Sequence, residues 1–257
     1  MVTVTLLEKA YGSFPPEMFE PVFQSLCNGL RVQLKVAGTT RFGWIQVEIS
    51  GEDEAAALNY LNREVGLTPS SAEKLRKNMV VRGRVVSPRK SKMQLYVDVG
   101  VFSPQTLHAA VTLQHLQAQL VDGKKIALQR ITELFGIHKY LPLKVRIDDA
   151  GLQEGRIKAG LSEAQLSQFA GWVRSRVDRL IILGAPISDV MRAVKASKHV
   201  RDIIGVESLG LLEHVVVCKL GTDAVGLIPE LGAFLRGASF APFSPTQVLK
   251  LIGEPFL

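Results

Sequence analysis

VVRGRVVSPRKSKMQLYVDVGV, Val80 to Val101, is the stretch on which the reading of this chain turns. Two β-patterned runs flank a short loop. In the second run Leu95, Val97, Val99 and Val101 fall on one face, and Gln94, Tyr96 and Asp98 on the other. That is the period of a strand with one buried side. Gly83 and Gly100 fit the bends of a small closed barrel, where backbones approach closely. The loop is densely basic. Arg82, Arg84, Arg89, Lys90 and Lys92 stand within eleven residues, with no acid before Asp98.

Downstream of this stretch the pattern turns helical. Leu113, Leu116 and Leu120 make one apolar stripe, and Leu128, Ile131 and Leu134 another. PLKVRI then reads as a closing strand that buries Leu143, Val145 and Ile147 and exposes Lys144 and Arg146. Strands flanking a helical insertion predict an OB-type β-barrel over residues 76–150. GLQEGRIKAG, rich in glycine and charge, reads as the linker out of it.

Upstream, Val2, Val4 and Leu6 share a strand face. Met18, Val22, Leu26 and Leu30 recur every four residues, with Pro21 starting or kinking that helix. RVQLKV and WIQVEI alternate, the second burying Ile45, Val47 and Ile49 and exposing Trp44. A helix follows from GEDE, with Leu58, Leu61 and Val65 inward. The order β-α-β-β-α predicts a ferredoxin-like unit over residues 1–75.

Residues 160–257 predict a third, α/β unit. Ser162 and Gln165 have capping-box spacing before a helix with Leu166, Phe169, Val173 and Val177 inward. RLIILG is a buried strand, and Pro186 starts a helix. EHVVVCKL and AVGLIP are expected to form a hairpin about Gly221, Thr222 and Asp223. FLRGASFAPFSPTQVLKLIG supplies a loop and a final helix. The fold class is α+β.

The chain has 257 residues, 47% hydrophobic, enough for sizeable cores. Its net charge is +7, and the distribution is uneven. Residues 1–78 hold 8 Lys and Arg against 9 Asp and Glu; residues 79–160 hold 13 against 6; residues 161–257 hold 10 against 9. The whole excess sits on the middle module, the electrostatic footprint of a polyanion partner. The apolar runs are too short to cross a bilayer. MVTVTLLEKAYG lacks the basic start and long apolar run of a secretion signal, so a cytoplasmic location is expected. Cys27 and Cys218 stand among apolar neighbours without a CxxC, which reads as two buried thiols and leaves a disulfide open.

The candidate nucleic-acid-binding residues are Arg82, Arg84, Arg89, Lys90, Lys92, Lys144 and Arg146 on phosphate, with Tyr96 stacking on a base. A solvated basic face is the plainer alternative. A second set comprises Arg192, Lys195 and His199 on one helix face, with Lys198 and Arg201 nearby, diluted by Asp189 and Asp202. Lys219 and Thr222 belong to a glycine-rich turn whose amides could receive a phosphate, although it has no GxxxxGK[ST] spacing. Trp44 beside Arg31 and Lys35 is a weaker candidate for stacking.

No pattern points to catalysis. His108, His115, His138, His199 and His214 form neither HExxH nor a close HxH pair, and no serine sits in GxSxG. No metal site and no cofactor are expected.

RDIIGVESLGLLEHVVVCKLGTDAVGLIPELG, Arg201 to Gly232, resembles an archaeal family, domain of unknown function 2110 (DUF2110). VRGRVV and YVDVGV, LQAQLVDGKKIALQRITELFGI, PLKVRI, and W-x5-D-R-L-I-I-L-G from Trp172 extend the resemblance over nearly the whole chain. It implies an archaeal, cytoplasmic protein and brings no catalytic residues.

The charge map favours a non-enzymatic RNA-binding protein associated with the ribosome or translation apparatus. Its partners would be ribosomal or transfer RNA and ribosomal proteins, without a membrane. A protein–protein adaptor with an acidic partner is the rival reading. An enzyme with a cryptic site near His214, Lys219 and Asp223 is the third.

Overall fold

In the computed structural model, which describes residues 1–150 and 156–253, alternating sequence becomes strand almost everywhere it was expected. The chain divides into two compact units: residues 1–74 with 100–106, and residues 75–99 with 107–257.

The first unit contains β1 (Val2–Lys9), α1 (Glu20–Leu26), β2 (Val32–Thr39), β3 (Trp44–Gly51), α2 (Glu54–Glu64) and the two-residue β4 (Ser70–Ser71). Its antiparallel sheet has the order β1-β3-β2, and a single antiparallel bridge joins Leu6 to Leu67. Pro21 begins α1, as its missing N–H allows. The helix faces inward through Phe19, Phe23 and Cys27, while Met18 and Val22 are exposed. The expected face is therefore rotated by one residue, because the two phenylalanines bury more area than Met18 and Val22. Trp44, expected outside, is 1% exposed. The Lys9 ammonium lies 4.3 Å over its ring.

The second unit begins with β5 (Val80–Val85), β6 (Gln94–Ser103), β7 (Leu107–Thr112), α3 (Leu113–Leu120), α4 (Leu128–Leu134), β8 (Pro142–Asp149) and β9 (Ile157–Leu161). These five strands close into a barrel in the order β5-β6-β7-β9-β8, with β8 returning to β5. β7 and β9 run parallel, and α3 and α4 fill the connection from β7 to β8. Leu95, Val97, Val99, Val111, Val145, Ile147 and Ile157 point inward and are fully buried. Gly83 is required where β5 meets β6: a Cβ there would lie 2.5 Å from the Asp98 carbonyl oxygen. Two segments differ from expectation. Leu107–Thr112, read as helical, is β7. Ile157–Leu161, most of it read within the linker, is β9, because Ile157, Ala159 and Leu161 alternate as its buried side. Residues 151–155 of that linker lie outside the described residues.

 

Along β9 the inward side chains are Ile157, Ala159 and Leu161, all within 1% exposure, and they complete the barrel wall.

The unit continues with α5 (Glu163–Arg174), β10 (Arg179–Leu183), α6 (Ile187–Ala196), β11 (Ile203–Ser208), β12 (Glu213–Cys218), α7 (Ile228–Phe234), β13 (Ser239–Phe243) and α8 (Pro245–Ile252). Its antiparallel sheet has the order β11-β12-β10-β13. Ser162 caps α5, its hydroxyl accepting from the Gln165 amide at 3.2 Å. The Gln165 side chain does not return to Ser162. Its Oε1 accepts from the Lys144 amide at 3.0 Å and ties α5 to the barrel. The expected hairpin from EHVVVCKL into AVGLIP does not form. β12 pairs with β10 and β11, and Val225–Leu227 is a 3-10 turn leading into α7. SFAPF, read as loop, is β13. Pro242 is tolerated there because β13 is an edge strand.

One face of this sheet packs Leu180, Ile182, Val216 and Cys218 against α6 and α7. A second apolar cluster joins Phe135, Phe169, Trp172 and Phe243, with ring centroids 5.3–6.3 Å apart in tilted and edge-on pairs. Cys27 and Cys218 are free, buried thiols. No helix among the described residues is long and apolar enough to cross a membrane.

Candidate nucleic-acid interface

The loop between β5 and β6 is short and internally closed. The Lys90 amide donates to the Ser87 carbonyl at 3.2 Å. The Ser91 hydroxyl accepts from the Met93 and Gln94 amides at 3.1 and 3.2 Å. Arg89, Lys90 and Lys92 point outward from it, exposed, with no ion pair among the described residues. Tyr96 lies half-buried on the outer side of β6, between inward Leu95 and Val97. The Lys90 ammonium is 5.2 Å from its ring centroid, close enough for a cation–π contact.

Farther along the barrel the expected set divides. Arg82 on β5 stands opposite Lys144 on β8; Arg82 is half-buried and Lys144 exposed. Arg146 pairs with Asp148 at 3.4 Å, so part of its charge is neutralised within the protein.

Arg84 leaves the set. It is 1% exposed, and its guanidinium meets the Glu213 carboxylate at 3.2 Å. Asp98, its register partner on β6, is also buried, and His108 approaches Asp98 at 4.0 Å. The barrel's outer side here is closed by the beginning of β12. A buried charge of this kind demands a paired partner, and Glu213, 129 positions later in the chain, supplies it. No phosphate can reach this guanidinium.

The second set is more mixed. Arg192 pairs with Asp189 at 3.0 Å. His199 sits between Asp202 at 3.0 Å and Glu230 at 3.3 Å, and the Lys198 amide donates to Glu230 at 2.8 Å. The side chains of Lys195, Lys198, Arg201 and Lys219 are exposed. Val200, Ile204 and Leu220 are exposed among them, Leu220 by 78%. Thr222 is half-buried in the turn its amide closes onto the Lys219 carbonyl. Exposed apolar side chains therefore accompany the basic ones in this set. His214 is buried, hydrogen-bonded to Ser208 at 3.0 Å, whereas Asp223 is exposed and binds the Val225 amide at 2.9 Å. His214 stands four residues before Cys218 on β12, about 13 Å along a strand. His214, Lys219 and Asp223 therefore do not gather into one site.

The structure adds three residues to the loop face. The turn His138–Leu141 lies against the end of β5, where the Tyr140 amide donates to the Val85 carbonyl at 2.8 Å. His138 and Lys139 are exposed and Tyr140 half-buried. The Lys139 ammonium is 4.7 Å from the Tyr140 ring centroid. Desolvation and then the charge of Arg89 hold His138 below the ordinary imidazole range. The signal in the sequence was the basic and aromatic triplet HKY, one residue before PLKVRI.

The chain matches the DUF2110 N-terminal domain over residues 3–71, the DUF2110 central domain over residues 75–173 and the DUF2110 C-terminal domain over residues 177–242. No curated protein matches it.

Proposed function

The chain belongs to the DUF2110 family, and we propose that it is an RNA-binding protein that grips phosphate through its central barrel. The observation that carries this reading is the exposed trio Arg89, Lys90 and Lys92, which has no ion pair among the described residues. The trio sits on the loop joining the first two barrel strands. Numbered in chain order, the barrel strands run 1-2-3-5-4, with the helices between strands 3 and 4. That order supports an OB-type reading. In such barrels the loop between strands 1 and 2 and the face of strands 2 and 3 bind oligonucleotides. The two flanking sheets, in orders β1-β3-β2 and β11-β12-β10-β13, support ferredoxin-like readings of the outer segments.

Each phosphate neutralised by a lysine or arginine releases counterions. Affinity for single-stranded RNA should therefore fall with salt, with a slope of about −0.7 per contacted phosphate in log–log form. Filter binding of the full chain to RNA at two salt concentrations tests this. An affinity indifferent to salt would remove the proposal.

A second reading rests on Val200, Ile204 and Leu220, exposed inside a rim of Lys198, Arg201 and Lys219. Aliphatic surface of this kind suits a protein partner carrying acidic and apolar side chains. A pulldown that survives nuclease and is lost in Leu220→Glu would support this adaptor reading.

A further inference from the structure

We propose that the barrel face takes single-stranded RNA rather than a duplex, with its bases stacked on Tyr96 and Tyr140; this rests on the RNA reading above. The two tyrosines flank the end of β5. The Val86 amide donates to the Tyr96 carbonyl at 3.0 Å on one side, and the Tyr140 amide donates to the Val85 carbonyl at 2.8 Å on the other. Two strand spacings separate their backbones by about 10 Å. Tyr96 alternates with inward Leu95 and Val97, and Tyr140 precedes inward Leu141. The Tyr96 ring therefore belongs to the barrel's outer side, and Tyr140, half-buried, stands in the turn that leads into β8.

Each ring has its own cation. Lys90 lies over Tyr96 and Lys139 over Tyr140. A ring to stack a base next to an ammonium to hold its phosphate is the repeating need of a single strand. A duplex offers phosphates, but its bases are already stacked on one another, so the rings would have nothing to bind.

Tyr140 also occupies a backbone position that does not suit it. The Leu141 amide donates to the His138 carbonyl at 3.1 Å, closing a four-residue turn, and Tyr140 adopts φ 73° there. Glycine or asparagine is the usual occupant of such a left-handed position. A bulky ring at this place is costly for the fold, and strain of this kind gathers at ligand-binding sites.

The test uses the full chain with two fluorescein-labelled probes, a 12-nucleotide oligouridylate and a 12-base-pair RNA duplex. Wild-type protein should bind the oligouridylate more tightly. Tyr96→Ala and Tyr140→Gly should each weaken that binding by about 5- to 150-fold, leaving duplex binding within about twofold. Glycine suits the left-handed backbone, so Tyr140→Gly removes the ring without disturbing the turn. Tyr96→Phe and Tyr140→Phe, which keep the rings, should bind like wild type. Unchanged oligouridylate affinity in Tyr96→Ala and Tyr140→Gly, with loss on replacing Arg89, Lys90 and Lys92 by alanine, would overturn stacking and leave the phosphate grip standing. Equal binding of both probes by the wild type would also overturn it. Salt-independent binding, or none, would overturn both proposals.

Discussion

Two neighbouring rows on the outer side of the barrel have opposite fates. Asp98, Arg84 and Pro142 are paired across β6, β5 and β8, and Arg84 is sealed against Glu213. Two residues along, Tyr96, Val86 and Tyr140 form the next row and remain half-open, with Lys90 beside Tyr96. Arg84 and Arg89 belong to the same basic run, so charge density alone does not separate them. What separates them is whether β12 covers that point. A covered cation becomes part of the fold's internal electrostatics, and an uncovered one is available to a ligand.

The comparison breaks most visibly at Arg84. Arg84→Ala leaves Glu213 buried without this partner and should cost about 3–5 kcal/mol, read from urea unfolding. Arg84→Met combined with Glu213→Leu should recover most of that loss, since an apolar pair needs no charge compensation. A cost below about 1 kcal/mol for Arg84→Ala would mean that water reaches this row.

Cys218 tests the sealing of the same strand from its other end. Burial, and after it the charges of Asp178 and Asp223, push its thiol from 9.0 up to about 11. The unfolded thiol ionises first, so its contribution to stability is complete below pH 9 and is lost as pH rises through 11. The loss should reach roughly 2–3 kcal/mol. Cys218→Ala should flatten that part of the stability profile relative to wild type, measured by denaturant unfolding at pH 8 and pH 11.

On the open row, replacing Arg89, Lys90 and Lys92 by alanine should leave stability within about 0.5 kcal/mol per site. RNA affinity should fall, and the salt slope should shrink by about 2 if each residue meets one phosphate. A slope equal to wild type in filter binding would show that these residues lie off the RNA path. The smallest effect sharpens the geometry. Arg89→Ala should move the His138 titration upward toward the ordinary imidazole range, followed by proton NMR of the ring. An unmoved titration would separate the basic loop from the His138–Leu141 turn.

Much of the fold was legible because strand and helix periods are local. Val97, Val145 and Ile181 announce buried strand positions through their immediate neighbours. β7 and β13 were not legible. Leu107–Thr112 continues directly into a helix, and SFAPF carries a proline that only an edge position permits. The candidate site was half legible. Arg89, Lys90, Lys92 and Tyr96 lie in one stretch, but Tyr140 lies 44 positions beyond Tyr96 and joins it only across β5.

By itself the sequence determined the inward side of each long strand and the location of the excess charge, since both follow from residue order. Tertiary structure alone decided which outward charges meet water. Arg84 became an internal ion pair because β12 arrives over it with Glu213, and Arg89 remained a surface cation because no such carboxylate reaches the loop among the described residues. The physical reason is range: side-chain alternation is set by the adjacent peptide units, whereas desolvation depends on whatever distant strand packs on top.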